Sequence, residues 1–570
     1  MKTYKAIGAS AGIAIGLVHL YSHNKIVVES DEGFDPKEQE KRIQAAIAKA
    51  GEDLIAVMEN TRKCASEAEA GVFEAHIMLL NDIVLMEKVL EALTDQHCSA
   101  EYAWYQATCY YSEMISSLNS EYISARSADI DDISQRVLRI LKGDEQQNSH
   151  TLVCPSIIVA DELTPSDTVS FNKKLVLGFA TAKGGATSHV AILSKSLGIP
   201  AIVGIGEWKE ELLEGEEVVV DGFTGQMIVD PDEKTLKAYR ELSERYQGNF
   251  KNAFEKTHEP AITIDGRSVE IVSNIGGVDD AHDAVEFGAE GVGLLRTEFI
   301  FLERNTSPTE EEQFTIYQQI FSVFGSRPVV ARTLDIGGDK PAEYLKIPQE
   351  MNPFLGLRGT RLALARTEVF RTQLRALLRA SVGYNVKIMF PMIGTASEVR
   401  KVRHHFDEVK IELEKEGKDY NKQVEFGIMV EIPSAAVIAD ILAKEVDFFS
   451  IGTNDLSQYT MAADRGNSDV ATIANALDPA VLRLIHMVVK AAHANKKWVG
   501  LCGELAGDPL GTPVLLGIGV DEFSMNPRSI PLVKQAIRQF TMEKAREIAA
   551  HALDLPTAEE VRVYLETYKK

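Results

Sequence analysis

Hydrophobic and polar positions change rhythm three times along the chain. Residues 1 to about 20 are β-like, with short apolar runs broken by glycine. From Asp35 the period becomes helical. Asp35 suits an N-cap, Pro36 the first helical position and Glu38 the carboxylate of a capping box. Ile43, Ile47, Leu54 and Met58 then recur at spacings of four and seven. Similar patterns run through "VFEAHIMLLNDIVLMEKVLEAL", "AEYAWYQATCYYSEMISSL" and "DIDDISQRVLRILKG", so 33–143 is expected to be a helical bundle. β-character returns in "SIIVADEL", "KKLVLGFAT", "AIVG" and "EEVVVDGFTGQMIVD". Residues 1–32 and 144–230 therefore read as one α/β domain into which the bundle is inserted, and 231–260 as a charged helical connector.

After residue 261 short apolar runs alternate with helical ones: "VEIVSNIG", "GVGLLRTE", "PVVARTLD", "FLGLRG", "VKIMFPM", "FGIMVEI", "FFSIGTND" and "WVGLCGE". Strands alternating with helices predict a parallel sheet, and eight of them predict a (β/α)8 TIM barrel over 261–570. Arg296, Glu298, Arg332, Asp335, Arg358, Glu431, Asn454, Asp455, Cys502 and Glu504 fall at the C-terminal ends of these runs. A barrel carries its chemistry on that rim.

Composition narrows the function classes. A net charge of −24 disfavours nucleic-acid binding, which needs basic surface. No apolar run is long enough to span a membrane, and the glycine-broken N-terminus is too weak for a secretory signal. The five cysteines are scattered without metal-binding spacing, as expected of a reduced, cytoplasmic chain.

Glu431 and Asp455 are hard oxygen ligands with no histidine or cysteine pattern beside them, which suits Mg2+. Arg296, Arg332, Arg358 and Arg465, with Lys340, imply a heavily anionic ligand such as a small phosphorylated acid. Cys502, close to Glu504, is a candidate for acid–base work. A second centre lies in "GGATSHVAI". Gly184 and Gly185 permit close approach of an anion, and Thr187 and Ser188 offer hydroxyls. A helix starting at His189 would place an imidazole nucleophile where a phosphoryl group can be held. His76, on a helical run, has no such setting.

"GGATSHVAILSKSLGIPAIVG" resembles the phosphohistidine signature of the phosphoenolpyruvate-utilising enzymes, and "VDFFSIGTNDLSQYTMAADRGN" with "GLCGELAGDP" resembles their barrel signature. The order of domains, with its helical insertion, is similar to the Enzyme I branch of that family, which serves the phosphoenolpyruvate:sugar phosphotransferase system. The resemblance implies that His189 carries the phosphoryl group, with Thr168 supplying a hydroxyl nearby. It implies that Arg296, Arg332, Asn454 and Arg465 bind phosphoenolpyruvate and that Glu431 and Asp455 hold Mg2+. Cys502 would protonate the enolate, the bundle would dock the carrier protein HPr, and the barrel would form a homodimer. Two departures stand out: Ala186 where many members carry arginine, and "SDVATIANALDPAV" after Arg465. The related nucleotide-dependent enzymes are disfavoured, because no "GxxxxGK[ST]" occurs.

Overall fold

The computed structural model describes residues 1–570 apart from 22–27, 29–30, 32, 65–75, 117–120, 144–151, 153, 164–166, 168–170, 173, 186–188, 209–211, 303, 305, 339–341, 346, 349, 466, 468–469 and 569–570. The chain forms two compact units, Met1–Tyr246 and Gln247–Lys570, the division falling within the helix Glu233–Glu255. Among the described residues no helix is long and apolar enough to cross a membrane.

The first unit holds an eight-stranded sheet. Its strands are β1 (Lys2–Lys5), β2 (Ile7–Ser10), β3 (Ile13–Tyr21), β4 (Ser156–Ala160), β5 (Val176–Thr181), β6 (Ala201–Val203), β7 (Glu217–Asp221) and β8 (Gln226–Val229). They are ordered β1-β8-β7-β3-β4-β5-β6-β2. β3 pairs in parallel with β4 from Leu17–Ser156 to Tyr21–Ala160, so the helices between them are an excursion from one sheet. Those helices include Pro36–Cys64, Ile83–Gln96, Ala100–Ser116 and Glu121–Lys142. Pro36 opens the first, and the Asp35 carboxylate accepts from the amide of Lys37 at 3.2 Å. Ile43, Leu54, Val89, Leu93, Trp104, Val137 and Leu138 form the bundle's own core. The helical spacing read from Ile43 and Leu54 is that of a buried face, and burial of the apolar faces of these helices is what holds them together.

The second unit closes into a barrel of eight parallel strands, β10 (Ser268–Ile275), β11 (Val292–Arg296), β12 (Val329–Arg332), β13 (Val386–Phe390), β14 (Glu425–Val430), β15 (Phe448–Ile451), β16 (Trp498–Leu501) and β17 (Glu522–Met525). β9 (Ala261–Ile262) adds antiparallel to β10. Side chains alternate across each strand. One set, including Ile271, Ala331, Ile388, Phe426, Ile428 and Val499, packs under the outer helices. The other set, Leu294, Val330, Met389, Met429, Phe448 and Cys502, fills the barrel interior.

Two strand expectations are corrected. "FLGLRG" is no strand: β12 pairs directly with β13, and Pro353–Leu355 is a single 3-10 turn. Pro353 lacks an amide proton for a ladder, and Gly359 sits at φ 55, where an extended strand cannot go. Arg358 therefore reaches the site from a rim loop and not from a strand end. The eighth strand is Glu522–Met525, hidden because a glutamate opens it.

That glutamate is itself testable. Glu522 is buried and its Oε1 has no hydrogen-bond partner among the described residues. Burial, followed by the nearby Glu270, pushes its carboxyl up to about 8. The folded state therefore holds a proton that the unfolded chain releases above its ordinary carboxyl range, and stability falls as pH rises toward 8. Glu522→Gln should stabilise the protein by an amount that grows between about pH 5 and 8, reaching about 3 kcal/mol. Thermal melts at both ends of that window check this, and a pH-independent gain would contradict it.

Candidate active site

The inward alternation delivers polar side chains to the rim. Arg332 ends β12 and is buried. Its Nη2 donates to Glu298 Oε1 at 2.7 Å, and its Nη1 lies 3.1 Å from Asp335 Oδ2. Among the described residues the Nε of Arg332 has no partner. Burial opposes charge on this guanidinium, but Glu298 and Asp335 outweigh it and keep the group firmly protonated.

Arg358 is the hub of the array. Its Nε donates to Asp335 Oδ1 at 3.1 Å and its Nη1 to Asp455 Oδ1 at 2.9 Å. Its Nη2 lies 3.2 Å from both Asp335 Oδ2 and Asp455 Oδ2. All three nitrogens thus serve carboxylates, so Arg358 frames the site more than it faces an open ligand. Tyr459 steadies it, receiving Arg358 Nη1 at 3.3 Å and donating its hydroxyl to the Phe354 carbonyl at 2.5 Å. Arg465 Nη1 stands 3.8 Å from Asp455 Oδ1.

Glu431 follows β14 and is fully buried. Its Oε1 accepts from the amide of Met392 at 2.6 Å, while its Oε2 has no partner among the described residues. Burial, then the neighbouring Asp455 and Asp335, pushes its carboxyl up to about 8 against the pull of Arg358 and Arg332. Burial works the same way on Asp455, but Arg358 and Arg465 outweigh it and hold that carboxyl below its ordinary value. Among the described residues the buried inventory is two arginines against Glu298, Asp335, Asp455 and Glu431. Such a site has room for positive charge. An orphaned buried carboxylate oxygen beside a second carboxylate fits a hard divalent cation that completes its shell with substrate oxygens. Among the described residues no three His, Cys, Asp or Glu side chains form a closed metal cage.

Cys502 is buried just beyond β16. Burial pushes its thiol up to about 11, so the sulfur keeps its proton at neutral pH. Asn454 Oδ1 accepts from the Glu504 amide at 3.1 Å. Arg296 ends β11 in register with Arg332, and its side chain is exposed. Sequence reasoning missed Asn274, whose Nδ2 donates to the Cys502 carbonyl at 3.0 Å and whose Oδ1 accepts from Ser524 Oγ at 2.6 Å. The signal was present: Asn274 is an inward position at the end of β10. Tyr459 was missed too, because its role depends on a loop distant in sequence.

The second centre is described only in outline. His189 is the first residue of the helix His189–Leu197, as its sequence context implied. Gly184 adopts φ 103, a conformation open to glycine, and among the described residues no heavy atom lies within 4 Å of where a Cβ on Gly185 would be. Ala186, Thr187, Ser188, Thr168 and Lys340 lie outside the described residues, as does the His189 side chain.

Comparison with known proteins shows the family. The family described as "PEP-utilising enzyme, PEP-binding domain" matches residues 251–542. The N-terminal domain of PEP-utilising enzymes matches 5–126, and their mobile domain matches 153–225. The chain is 44% identical over 560 residues to the phosphoenolpyruvate-protein phosphotransferase of Priestia megaterium, covering 98% of each chain. It is 44% identical over 570 residues to that of Bacillus subtilis (strain 168), covering 100% of each. The corresponding Staphylococcus aureus protein is 43% identical over 576 residues, again covering 100% of each. With the mobile-domain match preceding the PEP-binding match and full-length agreement with these relatives, this chain belongs to the phosphoenolpyruvate-protein phosphotransferase family of PEP-utilising enzymes.

Proposed function

We propose that this chain transfers the phosphoryl group of phosphoenolpyruvate to its own His189 and then to a histidine of the carrier protein HPr, releasing pyruvate. This is the first general step of the sugar phosphotransferase system. The observation that carries the reading is the full-length agreement with relatives of that name.

The rim residues fit the chemistry. Arg296, Arg332, Arg465 and Asn454 bind phosphate and carboxylate, with Arg358 and Asp335 holding Asp455 in place. Glu431 and Asp455 would hold Mg2+, which when bound neutralises charge on the transferring group. An imidazole nitrogen of His189 attacks phosphorus while the bond to the enolate oxygen breaks. The enolate carbon then takes the proton of the Cys502 thiol, giving pyruvate. A thiol held protonated by burial suits that step.

In this reading 1–32 with 144–230 is the phosphohistidine domain, 33–143 docks HPr, and 231–260 connects to a barrel domain at 261–570 that forms a homodimer. The protein acts in the cytoplasm, without nucleic acid or membrane insertion.

Incubation of the purified protein with labelled phosphoenolpyruvate, Mg2+ and HPr tests the function. Label should appear first on the chain and then on HPr. Replacing 34–143 by a short linker should spare self-labelling and stop transfer to HPr. Unchanged transfer would refute the docking role.

A further inference from the structure

Behind the rim lies a buried chain of hydrogen bonds whose every proton can be assigned. Gln373, on the helix Thr367–Ala380, is fully buried. Its Oε1 accepts from the amide of Leu334 at 2.9 Å. A backbone N–H can only donate, so the orientation of the Gln373 amide is fixed. Its Nε2 must then donate to Thr297 Oγ1 at 2.9 Å and to the Tyr317 hydroxyl at 3.2 Å. Thr297 passes its own proton to the Arg332 carbonyl at 2.7 Å. Tyr317 passes its proton to Gln313 Oε1 at 3.3 Å, and Gln313 Nε2 donates to the Pro308 carbonyl at 3.0 Å.

The placement of these bonds matters. Thr297 follows Arg296, and Leu334 stands between Arg332 and Asp335. Arg296 and Arg332 are register partners at the ends of adjacent strands. One side-chain amide therefore holds the Leu334 backbone just beyond β12 and the Thr297 hydroxyl just beyond β11, and that hydroxyl ties the two strand ends together through the Arg332 carbonyl. The surroundings are apolar, with Ile320, Phe321, Phe370 and Leu374 in the same core. Leucine at 373 and valine at 297 would fill that space but strip the Leu334 amide of its acceptor and the Arg332 carbonyl of the Thr297 donor. A fully satisfied polar network in such a place rigidifies and specifies what it touches.

We propose that Gln373, acting through Thr297, is a positioning residue that sets the spacing of Arg296 and Arg332 for phosphoenolpyruvate. The proposal rests on the reading that these arginines bind that substrate. Small misplacements of binding groups cost rate steeply.

The test uses the full-length protein and labelled phosphoenolpyruvate with Mg2+, reading KM, kcat and Tm together. Thr297→Val and Gln373→Leu should each raise KM for phosphoenolpyruvate at least about tenfold. Thr297→Ser, which keeps the hydroxyl, should restore the wild-type KM. Tyr317→Phe cuts the branch leading away from the arginines. It should lower Tm to a similar degree yet leave KM unchanged. Wild-type KM in Thr297→Val overturns the proposal, and so does an equal rise in Tyr317→Phe, which would indicate general loosening. If Gln373→Leu fails to fold, the Thr297 pair decides. A wild-type protein that takes no label would sink the underlying reading instead, so the two failures are distinguishable.

Discussion

Replacing His189 by alanine should abolish labelling of the chain by phosphoenolpyruvate while leaving phosphoenolpyruvate binding intact. The substitution is gentle to the fold. Alanine is the best helix former, and His189 is only the first residue of its helix. That helix is anchored by Val190 and Ala191, which share a core with the sheet residues Ile158, Ala160, Phe179 and Val203, and Leu193 is buried as well. The proposed substrate groups, from Arg296 to Cys502, all belong to the second unit. Loss of the nucleophile therefore removes the acceptor of the phosphoryl group without touching the groups that hold its donor. Incorporation of label should fall to background, and calorimetric titration with phosphoenolpyruvate and Mg2+ should give the wild-type affinity. Label retained on another residue would show that the wrong histidine had been chosen.

How far the sequence foretold this arrangement depends on the physics of each feature. The barrel strands were legible where an apolar run ended on a charged residue, as at Arg332 and Glu431. Burial on both faces of a parallel strand demands continuous apolar sequence, and the rim demands a polar stop. "FLGLRG" imitated that signal because a rim loop can be apolar and still end on a functional arginine. "DEFSM" concealed a true strand because Glu522 faces the barrel interior, where apolar residues are the rule. The site residues carried by strand ends, Arg296, Arg332, Glu431 and Cys502, could be read from position. Asp335, Arg358 and Asp455 were legible as rim candidates too, but the pairs they form were not, and Tyr459 was missed. Arg358 meets Asp335 across 23 residues of sequence and Asp455 and Tyr459 across 97 and 101, and only folding brings them to hydrogen-bond distance. The same is true of Gln373 and Thr297, separated by 76 residues.

The second large effect concerns Glu431, where stability and activity should part. Glu431→Gln keeps the oxygen that accepts from the Met392 amide and replaces the unpartnered Oε2 by a neutral amide. Without a cation the wild-type carboxyl is already held near neutrality, pushed up to about 8 by burial and by Asp455 and Asp335. The variant should therefore fold with a Tm equal to or above the wild-type value in metal-free buffer. Self-labelling by phosphoenolpyruvate should nevertheless fall by about a hundredfold or more, the usual scale for losing one preorganised electrostatic group. Added Mg2+ with phosphoenolpyruvate should raise the Tm of the wild type and not of the variant. Asp335→Asn is the informative contrast. Asp335 meets both Arg332 and Arg358, and weakening it leaves buried guanidinium charge short of its partner. That variant should lose about 3 kcal/mol of stability as well as activity. If Glu431→Gln instead melted early, the residue would be a structural member of the ion array, and the case for Glu431 as a cation ligand would fall with it.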